Sequence, residues 1–318
     1  MLGLLLDDSI QLKSDLPEPA RAAGEALVAV RLAGVCDTDL QLARGYMAFR
    51  GVPGHEFVGT VLEADDPSWR GKRVVADINA GCGVCEDCTV RDGHHCPSRT
   101  VLGILGRQGA FAERLTIPAR CLVEVPAAVS DDNAVFAEPL AAALHVLDDA
   151  ESVAGRVVVL GDGKLGQLIA RALSRVGRDV TLVGHHEDKL RRARDAGVSA
   201  ILERDAGDIR GAGLVVEATG SEGGLARAME LVRPRGTIVL KTTTARPHSV
   251  DLSPLVIHEI RLVGSRCGDL RAAVSLMART DLDLADLIER RYPLPEAAAA
   301  VQHAARPGVM KVLIDVAG

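Results

Sequence analysis

The chain has 318 residues, of which 47% are hydrophobic and only 2% aromatic, and its formal net charge is −6. The length suits two domains, and the composition is that of a globular protein whose core is built from aliphatic side chains. The acidic balance and the scattered basic residues argue against nucleic-acid and anionic-lipid partners, so we expect neither a nucleic acid nor a membrane to bind.

The N-terminus and the cysteine content indicate a cytoplasmic protein. The apolar start MLGLLL has no basic residue before it and stops at Asp7 and Asp8, so it is too short for a signal peptide or a membrane span. Seven cysteines, four of them in one short stretch, suit metal binding in a reducing compartment better than a disulfide framework. We therefore expect a cytoplasmic location and zinc as the metal.

Short apolar and β-branched runs characterise the first part of the chain. They lie at 26–33, 57–63 and 73–77 and are separated by Gly, Pro and Asp, a pattern that predicts strands and turns. This first part is therefore expected to be rich in β-structure.

The stretch GCGVCEDCTVRDGHHC, at 81–96, carries a cysteine cluster. Cys82, Cys85, Cys88 and Cys96 provide four thiolates, which is enough to close a tetrahedral zinc shell and leave no position for chemistry. The spacing therefore predicts a structural zinc that orders a lobe at about 81–97. The alternatives are an iron–sulfur cluster or redox pair, whose common spacings do not match, and a zinc-ribbon surface for nucleic acid.

Strands and helices alternate after about residue 138. Strands are predicted at 157–160, 179–183, 215–218 and 237–240, with helices ending near 176 and 196. This alternation is typical of an α/β domain with a parallel sheet covered by helices. A helix at 270–279, an alanine-rich helix at 296–305 and a strand at 311–316 follow, and we expect this tail to fold back onto the N-terminal domain.

A glycine-rich loop follows the first of these strands. GDGKLG places Gly161, Gly163 and Gly166 in G-x-G-x-x-G spacing between an apolar strand and an amphipathic helix. These glycines allow a tight turn, approach of the backbone to a pyrophosphate and close helix packing, while the helix start at Lys164 and Leu165 carries partial positive charge. The loop predicts a dinucleotide site in a Rossmann fold, and the alternative is a turn without ligand.

The end of the second strand lacks the acidic residue that would bind the adenosine ribose of NAD. Gly184 stands there instead. Residues that can take a 2′-phosphate follow it, namely His185, His186, Lys189, Arg191 and Arg192. The sequence therefore favours NADP over NAD, and the alternative is that Glu187 or Asp188 bonds the ribose.

Several motifs in a fixed order carry a family resemblance. They are GVCDTDL (34–40), GHEFVG (54–59), the cysteine lobe, FAEPLAAALH (136–145), GDGKLG (161–166), EATGS (217–221) and KVLIDV (311–316). Nearly end to end, the chain resembles the zinc-containing medium-chain alcohol dehydrogenases, including their polyol, sugar and threonine dehydrogenase relatives. The resemblance implies a GroES-like catalytic domain over 1–137, a doubly wound Rossmann domain over 138–266, and a return segment over 267–318 that completes the catalytic domain.

The resemblance also implies a second, open zinc site. Its ligands would be Cys36, His55 and Glu138, with Glu56 as an alternate ligand. A thiolate, an imidazole and a carboxylate nearly neutralise the ion and leave a fourth position for water or substrate. Taken singly, each residue also has a purely structural interpretation, as a small core residue, a satisfied polar group and a surface acid.

Further roles are implied for residues around this zinc and the cofactor. Asp39 resembles the carboxylate that orients the imidazole, and Thr38 the hydroxyl that passes on the alcohol's proton. Their alternatives are a first-turn acid and a helix N-cap. Thr219 and Lys311 are implied to contact the cofactor.

Three residues depart from the family pattern. Gln41 replaces the histidine that ends the proton relay in some relatives, while Asp37 and Asp162 add negative charge near the pyrophosphate position. Lys311 can offset those two charges. No departure removes a predicted zinc ligand.

The expected function is reversible hydride transfer between an alcohol and NAD(P), with zinc as Lewis acid. The expected substrate is a polyol, a sugar or a secondary alcohol, and by resemblance Glu138 favours polyols and sugars over simple alcohols. Candidate walls of the substrate site are Tyr46, Phe49 and Leu105. A homodimer or homotetramer is expected, with the strand near 260–263 as an edge. The alternatives are a non-catalytic dinucleotide sensor and a zinc-independent reductase of the same superfamily. The other histidines, His94, His95, His145, His248 and His303, are interpreted as solvated or structural.

Overall fold

The structure, a computed structural model, describes residues 1–150, 153–207, 209–243 and 249–317. By internal contacts the chain divides into two compact units, Met1–Glu138 with Leu270–Gly318, and Pro139–Asp269. The domain limits expected from the sequence, at 137/138 and 266/267, stay predictions. His248 lies outside the described residues.

The strands and helices of the described residues are numbered in chain order. The strands are β1 (Gly3–Leu6), β2 (Ile10–Lys13), β3 (Glu25–Val35), β4 (Glu56–Ala64), β5 (Arg73–Ala76), β6 (Asn79–Ala80), β7 (Thr100–Leu102), β8 (Gly106–Arg107), β9 (Arg114–Pro118), β10 (Leu122–Glu124), β11 (Val157–Leu160), β12 (Val180–Gly184), β13 (Ser199–Leu202), β14 (Ala212–Glu217), β15 (Val232–Leu240), β16 (Arg261–Gly264), β17 (Ile288–Pro293) and β18 (Lys311–Asp315). The helices are α1 (Asp37–Leu42), α2 (Glu86–Val90), α3 (Asp131–Ala134), α4 (Ala137–Leu144), α5 (Val146–Ala150), α6 (Lys164–Arg175), α7 (Glu187–Asp195), α8 (Gly224–Leu231), α9 (Ser253–Ile257), α10 (Leu270–Arg279) and α11 (Ala297–Ala304). In the ranges that the structure covers, no helix is both long and apolar enough to cross a membrane.

The first unit is built around the long strand β3. Its main sheet has the order β10-β5-β4-β3-β18-β17, and β9 also pairs with β3. Burial alternates along the first part of β3, because successive side chains of a strand point to opposite faces, and all of its last four residues are buried. The C-terminal strand β18 pairs antiparallel with β3, so the end of the chain completes the sheet that its beginning starts.

The second unit contains a parallel sheet with the order β13-β12-β11-β14-β15-β16. All four residues of β11, Val-Val-Val-Leu, are buried, as expected for a central strand covered on both faces. The predicted doubly wound fold is confirmed. Strand order reverses between β12 and β14 on either side of β11, and ligands of such sheets bind where the order reverses.

β15 is longer than its apolar pattern predicts. It begins at Val232 rather than near residue 237, and the polar segment Arg233–Gly236 lies within it. Pairing with β14 shifts register between Ala212 and Leu214, so the bulge accommodates Pro234 and a left-handed Arg235. Hydrophobic periodicity does not report such an irregular start.

Two glycines of the loop after β11 are required by close packing, and one is not. Gly161 has φ +114°, and a Cβ there would lie 2.5 Å from the Ala218 carbonyl oxygen. A Cβ on Gly166 would lie 1.8 Å from the Gly161 carbonyl oxygen, so α6 approaches β11 closely only because this side chain is missing. A Cβ on Gly163 would meet nothing within 4 Å. Gly163 therefore faces open space at the start of α6.

We predict that Gly166→Ala destabilises the second unit more than Gly163→Ala does. The clash at Gly166 is with backbone that cannot move aside, and overpacking of this kind costs about 2 kcal/mol, or roughly 4–8 °C of unfolding midpoint. Gly163→Ala is expected to cost about 1 kcal/mol or less, since only the N-cap preference changes. Thermal unfolding followed by circular dichroism measures both, and equal midpoints for the two variants would contradict the packing argument.

Candidate metal and dinucleotide sites

Strand pairing in the first unit gathers residues that are far apart in sequence. β3 pairs with β4 through Gly34 opposite Glu56, and with β18 through Val35 opposite Val312. Cys36 follows β3 directly, and Lys311 is the first residue of β18. This register places the end of β3, the start of β4 and the start of β18 side by side.

Three of the predicted ligands meet at this point. Ligand atoms of Cys36, His55 and Glu56 all lie within 4.8 Å of one another, and the two latter side chains are buried. Glu138, predicted as the third ligand, is not part of that group although its charge interacts with those of His55 and Glu56. It lies in the first turn of α4 and is partly buried.

Asp39 connects the imidazole to the backbone. Its Oδ1 lies 3.3 Å from His55 Nδ1 and accepts the Gly54 N–H at 3.1 Å, and its Oδ2 accepts the Cys36 N–H at 2.9 Å. His55 Nδ1 is fully buried and has no well-aligned hydrogen bond among the described atoms. Asp39 is thus both a capping residue of α1 and the neighbour that faces the ring of His55.

Thr38 does not cap α1. The N-cap residue is Cys36, so the N-cap interpretation of Thr38 is wrong. Its hydroxyl instead lies 3.8 Å from Cys36 Sγ, the distance of a weak thiol hydrogen bond. Thr38 therefore borders the cluster, and its role in passing on the alcohol's proton stays a prediction.

Glu56 forms a buried ion pair with Lys311. The two residues are 1% and 2% exposed, and the ammonium also lies 5.5 Å from the centre of the Phe136 ring. A Cβ on Gly34 would lie 2.5 Å from Glu56 Oε2, so the glycine makes room for this carboxylate. Lys311, predicted to contact the cofactor, is bonded to Glu56 in this structure. Nothing in the local sequence signals a pair separated by 255 residues.

Acidic groups outnumber basic ones in and beside this cluster: Cys36, Asp39, Glu56 and Glu138 against His55 and Lys311. Burial lowers the pKa of His55, but Asp39 and Cys36 outweigh it and raise that pKa well above its usual value. Burial raises the pKa of Glu138 to about 7, with Glu56 adding to the effect and His55 and Lys311 opposing it. Such a cluster stabilises a cation, and its sulfur, nitrogen and oxygen donors are those of a zinc site with an open position. The residues present therefore fit a zinc ion.

The cysteine lobe has the geometry of a closed metal shell. All four sulfurs lie within 4.8 Å of one another, and Cys82 Sγ is 4.0 Å from Cys88 Sγ. A tetrahedral zinc with bonds of about 2.3 Å holds its sulfurs about 3.8 Å apart, so little adjustment is needed. A Cβ on Gly81 would lie 2.6 Å from Cys88 Sγ, which explains one glycine of this stretch.

Two thiols of the lobe have pKa values that are shifted in opposite directions. Hydrogen bonds from the N–H groups of Val84 and Cys85 lower the pKa of Cys82 to about 6. The pKa of Cys85 is raised to about 12, since burial and the neighbouring thiols outweigh the hydrogen bond from the Cys88 N–H. A divalent cation removes this difference, because it stabilises the thiolate form of all four cysteines together.

His94 is a structural residue beside the lobe. Its Nε2 lies 2.8 Å from Asp77 Oδ2 and its Nδ1 3.2 Å from Asp92 Oδ2. Asp77, which belongs to none of the sequence motifs, also contributes to the raised pKa of Glu138. His145 pairs with Asp148 and His303 with Tyr292, in agreement with their interpretation as structural groups.

The cofactor loop is built as predicted, but the acid in it is buried. Lys164 and Leu165 form the first turn of α6, whose N-cap Gly163 offers no side chain to cap the helix. The side chain of Asp162 turns toward His185 and His186 and is 8% exposed. Open space at Gly163 and an uncapped helix start fit a pyrophosphate.

Other predicted cofactor residues are engaged with the protein. Thr219 donates its N–H to Glu217 Oε1 at 2.9 Å and contacts Ser221. Lys189 is buried in α7. Of the candidate substrate-site walls, Tyr46 is 54% and Leu105 36% exposed, and Phe49 is partly buried.

Two protein families match the chain. The alcohol dehydrogenase GroES-like domain matches residues 22–127, and the zinc-binding dehydrogenase family matches residues 165–280. Over 87% of its length the chain is 30% identical to an erythritol/L-threitol dehydrogenase from Mycolicibacterium smegmatis, 86% of which is covered. The predicted combination of a GroES-like and a Rossmann domain is confirmed.

Solved structures of similar proteins contain both kinds of nicotinamide cofactor. An alcohol dehydrogenase from Escherichia coli CFT073 complexed with NADH is 25% identical, with a TM-score of 0.90 over 99% of both chains. A zinc-binding dehydrogenase from Sinorhizobium meliloti 1021 bound to NADP is 28% identical, with a TM-score of 0.88 over 99% of both chains.

We predict that Cys88→Ser removes about one zinc ion per chain and lowers the unfolding midpoint of the first unit by several degrees. Loss of one thiolate opens the shell, and the lobe loses the bonds that order it. The control is Val84→Ser in the same lobe, since Val84 is 82% exposed and its replacement is expected to change stability by no more than about 0.5 kcal/mol. Elemental analysis and calorimetry test both, and a Cys88→Ser protein with unchanged zinc content would contradict the assignment.

Proposed function

Because the chain belongs to the zinc-containing medium-chain dehydrogenases and is an NAD(P)-dependent alcohol oxidoreductase, we propose that Cys36, His55 and Glu138 hold its catalytic zinc. The observation that carries this proposal is the cluster of ligand atoms at the meeting point of β3, β4 and β18, where acidic groups outnumber basic ones. Buried charge of one sign is costly unless a partner of opposite sign is present, and a divalent cation is such a partner.

The hydrogen bonds of the neighbouring carboxylates support Glu138 as the carboxylate ligand. Asp39 accepts hydrogen bonds from the Cys36 and Gly54 N–H groups, and Glu56 is bonded to Lys311. Glu138, in contrast, has no hydrogen-bonded partner in the part of the chain that the structure describes. A carboxylate without such a partner is the one that can turn toward an ion at the lowest cost. Glu56 remains the alternate ligand, available only if Lys311 releases it.

The chain's own residues orient the substrate and move the proton. When bound, zinc supplies a Lewis acid that favours ionisation of an alcohol, and NAD(P) supplies the hydride acceptor. Asp39 holds His55 in one orientation, which preserves the geometry of the open site. The Thr38 hydroxyl oxygen accepts the proton that the alcohol loses, and the hydroxyl donates its own proton onward. Gln41 cannot take up that proton, so we assign its exit to water.

A polyol, a sugar derivative or a secondary alcohol is the proposed substrate class. One relative of the chain is an erythritol/L-threitol dehydrogenase, and the presence of Glu138 in the ligand set agrees with this class by resemblance. The exposed Tyr46 and Leu105 and the partly buried Phe49 are proposed to line the substrate site. The non-catalytic sensor and the zinc-independent reductase are not favoured, because both metal clusters are present.

We also propose a cytoplasmic location and a homo-oligomeric assembly. None of the seven cysteines, all of which lie in described ranges, forms a disulfide, as expected in a reducing cytoplasm. The chain is proposed to form a homodimer or homotetramer through β16, an edge strand on which Leu262 is 38% exposed.

We predict that Cys36→Ser and Glu138→Gln each lower turnover by at least about 100-fold, because each removes an anionic ligand of the open site. The wild-type substrate is first identified by nicotinamide absorbance in a screen of tetritols, hexitols, sugar acids and secondary alcohols with NAD and NADP. Cys267→Ser, which lies in the other unit, is the matched control and keeps wild-type turnover. Undiminished turnover of a folded Cys36→Ser protein that retains the lobe zinc would refute the mechanism.

A second prediction concerns the orientation of the imidazole. Asp39→Asn keeps the side chain's size but removes its charge, and we expect turnover or affinity for the second zinc to fall by about 10- to 100-fold. Zinc titration monitored with a competing chelator separates the two sites. An Asp39→Asn protein with wild-type zinc affinity and turnover would show that Asp39 only caps α1 and does not orient His55.

A further inference from the structure

Asp162, the residue between the first two glycines of the cofactor loop, is turned into the protein. Its Oδ2 accepts the backbone N–H groups of His185 and His186, both at 2.7 Å. Both of its oxygens also lie 3.1 Å from His186 Nδ1. The carboxylate therefore joins the glycine loop to the turn between β12 and α7, and its side chain is 8% exposed.

The same carboxylate explains the glycine at the end of β12. A Cβ on Gly184 would lie 2.4 Å from both Cβ and Oδ2 of Asp162. No side chain other than hydrogen fits at Gly184 while Asp162 holds this position. The acid expected at the end of the second strand is thus replaced in space by an acid from the first loop.

A 2′-phosphate requires free N–H donors and cations at this turn. The N–H groups of His185 and His186 already bond a carboxylate, and the ring of His186 is paired with it. Lys189, predicted to face the phosphate, is only 8% exposed in α7. The turn is therefore already occupied by an anion of the protein itself.

Two further carboxylates lie beside the turn, closer in sequence than the exposed Arg191 of the same helix. Glu187 and Asp188 form the first turn of α7, and Glu187 pairs with Arg194 seven residues further along. A dianionic phosphate placed here meets these exposed carboxylates and the buried carboxylate of Asp162, and repulsion by the buried one is the less screened by water. A ribose diol, in contrast, donates hydrogen bonds and is compatible with carboxylate acceptors.

We infer that Asp162 makes this site select NAD(H) over NADP(H), by occupying the donors that a 2′-phosphate needs and by placing a negative charge beside the ribose. The inference rests on the proposed function, since it assumes that GDGKLG binds a nicotinamide dinucleotide. It reverses the preference for NADP that the residues after Gly184 suggest when they are considered without their contacts.

Direct binding measurements on the wild-type protein test this inference without an activity assay. Dissociation constants for NADH and NADPH are measured from the fluorescence of the reduced nicotinamide, and adenosine 5′-monophosphate and adenosine 2′,5′-bisphosphate serve as competitors for the adenosine subsite. We expect NADH to bind at least about tenfold more tightly than NADPH, and the monophosphate to compete better than the bisphosphate. Equal binding or preference for NADPH would overturn the inference while leaving the proposed function intact. Failure of both dinucleotides to bind would instead overturn the proposed function.

Two variants identify Asp162 as the cause. Asp162→Asn keeps the shape but removes the charge, and is expected to reduce the ratio of the NADPH to the NADH dissociation constant by at least about tenfold. Asp195→Asn makes the same charge change at the exposed C-terminal end of α7 and leaves that ratio unchanged. An unchanged ratio in a folded Asp162→Asn protein would contradict the inference, and if that variant does not fold, the wild-type constants and the two adenosine competitors still decide it.

Discussion

The antiparallel register of β3 with β4 and β18 is the constraint on which the candidate metal site depends. It brings Cys36, Glu56 and Lys311 together from three distant parts of the chain. Gly34 is part of the same constraint, because a side chain there would displace the Glu56 carboxylate. A shift of one residue would turn the paired side chains to the opposite face of the sheet, so the geometry of the cluster is inherited from strand pairing.

The two clusters of metal ligands are formed by the protein in different ways. The cysteine lobe offers four sulfurs from one short stretch, so a metal ion there stabilises local structure that has little core of its own. The cluster at β3, β4 and β18 is formed by the main sheet and contains groups of both charges, including the Glu56–Lys311 ion pair. We therefore expect a metal to stabilise the first cluster, whereas the second is positioned by the sheet and contains more acidic than basic groups.

Much of the fold could be predicted from the sequence because its signals are local. Period-2 and period-3.6 patterns placed β11, α6, α10 and α11 to within a few residues, and glycine spacing placed the turn between β11 and α6. The cysteine spacing identified the lobe. The irregular start of β15 was missed, because a bulge and a left-handed residue leave no periodic signal.

Contacts between distant residues could not be predicted in this way. The resemblance suggested Cys36, His55 and Glu138 as one set with Glu56 as an alternate, but the structure groups Glu56 with the first two and bonds it to Lys311. Likewise the sequence shows Gly184 at the end of β12 and Asp162 in the loop after β11. Only the structure shows that Asp162 fills the space that a side chain at position 184 would need. Electrostatic pairing across a fold depends on which charges meet, and no local pattern encodes that.

The most direct measurement of the central claim is anomalous diffraction at the zinc edge from crystals of the protein purified without chelator. We predict two zinc peaks per chain, one among the four sulfurs of the lobe and one within bonding distance of Cys36 and His55, about 2.0–2.3 Å from their ligand atoms. A single peak in the lobe, in a crystal where Cys36 and His55 are well ordered and metal-free, would contradict the assignment of the buried cluster as the catalytic metal site.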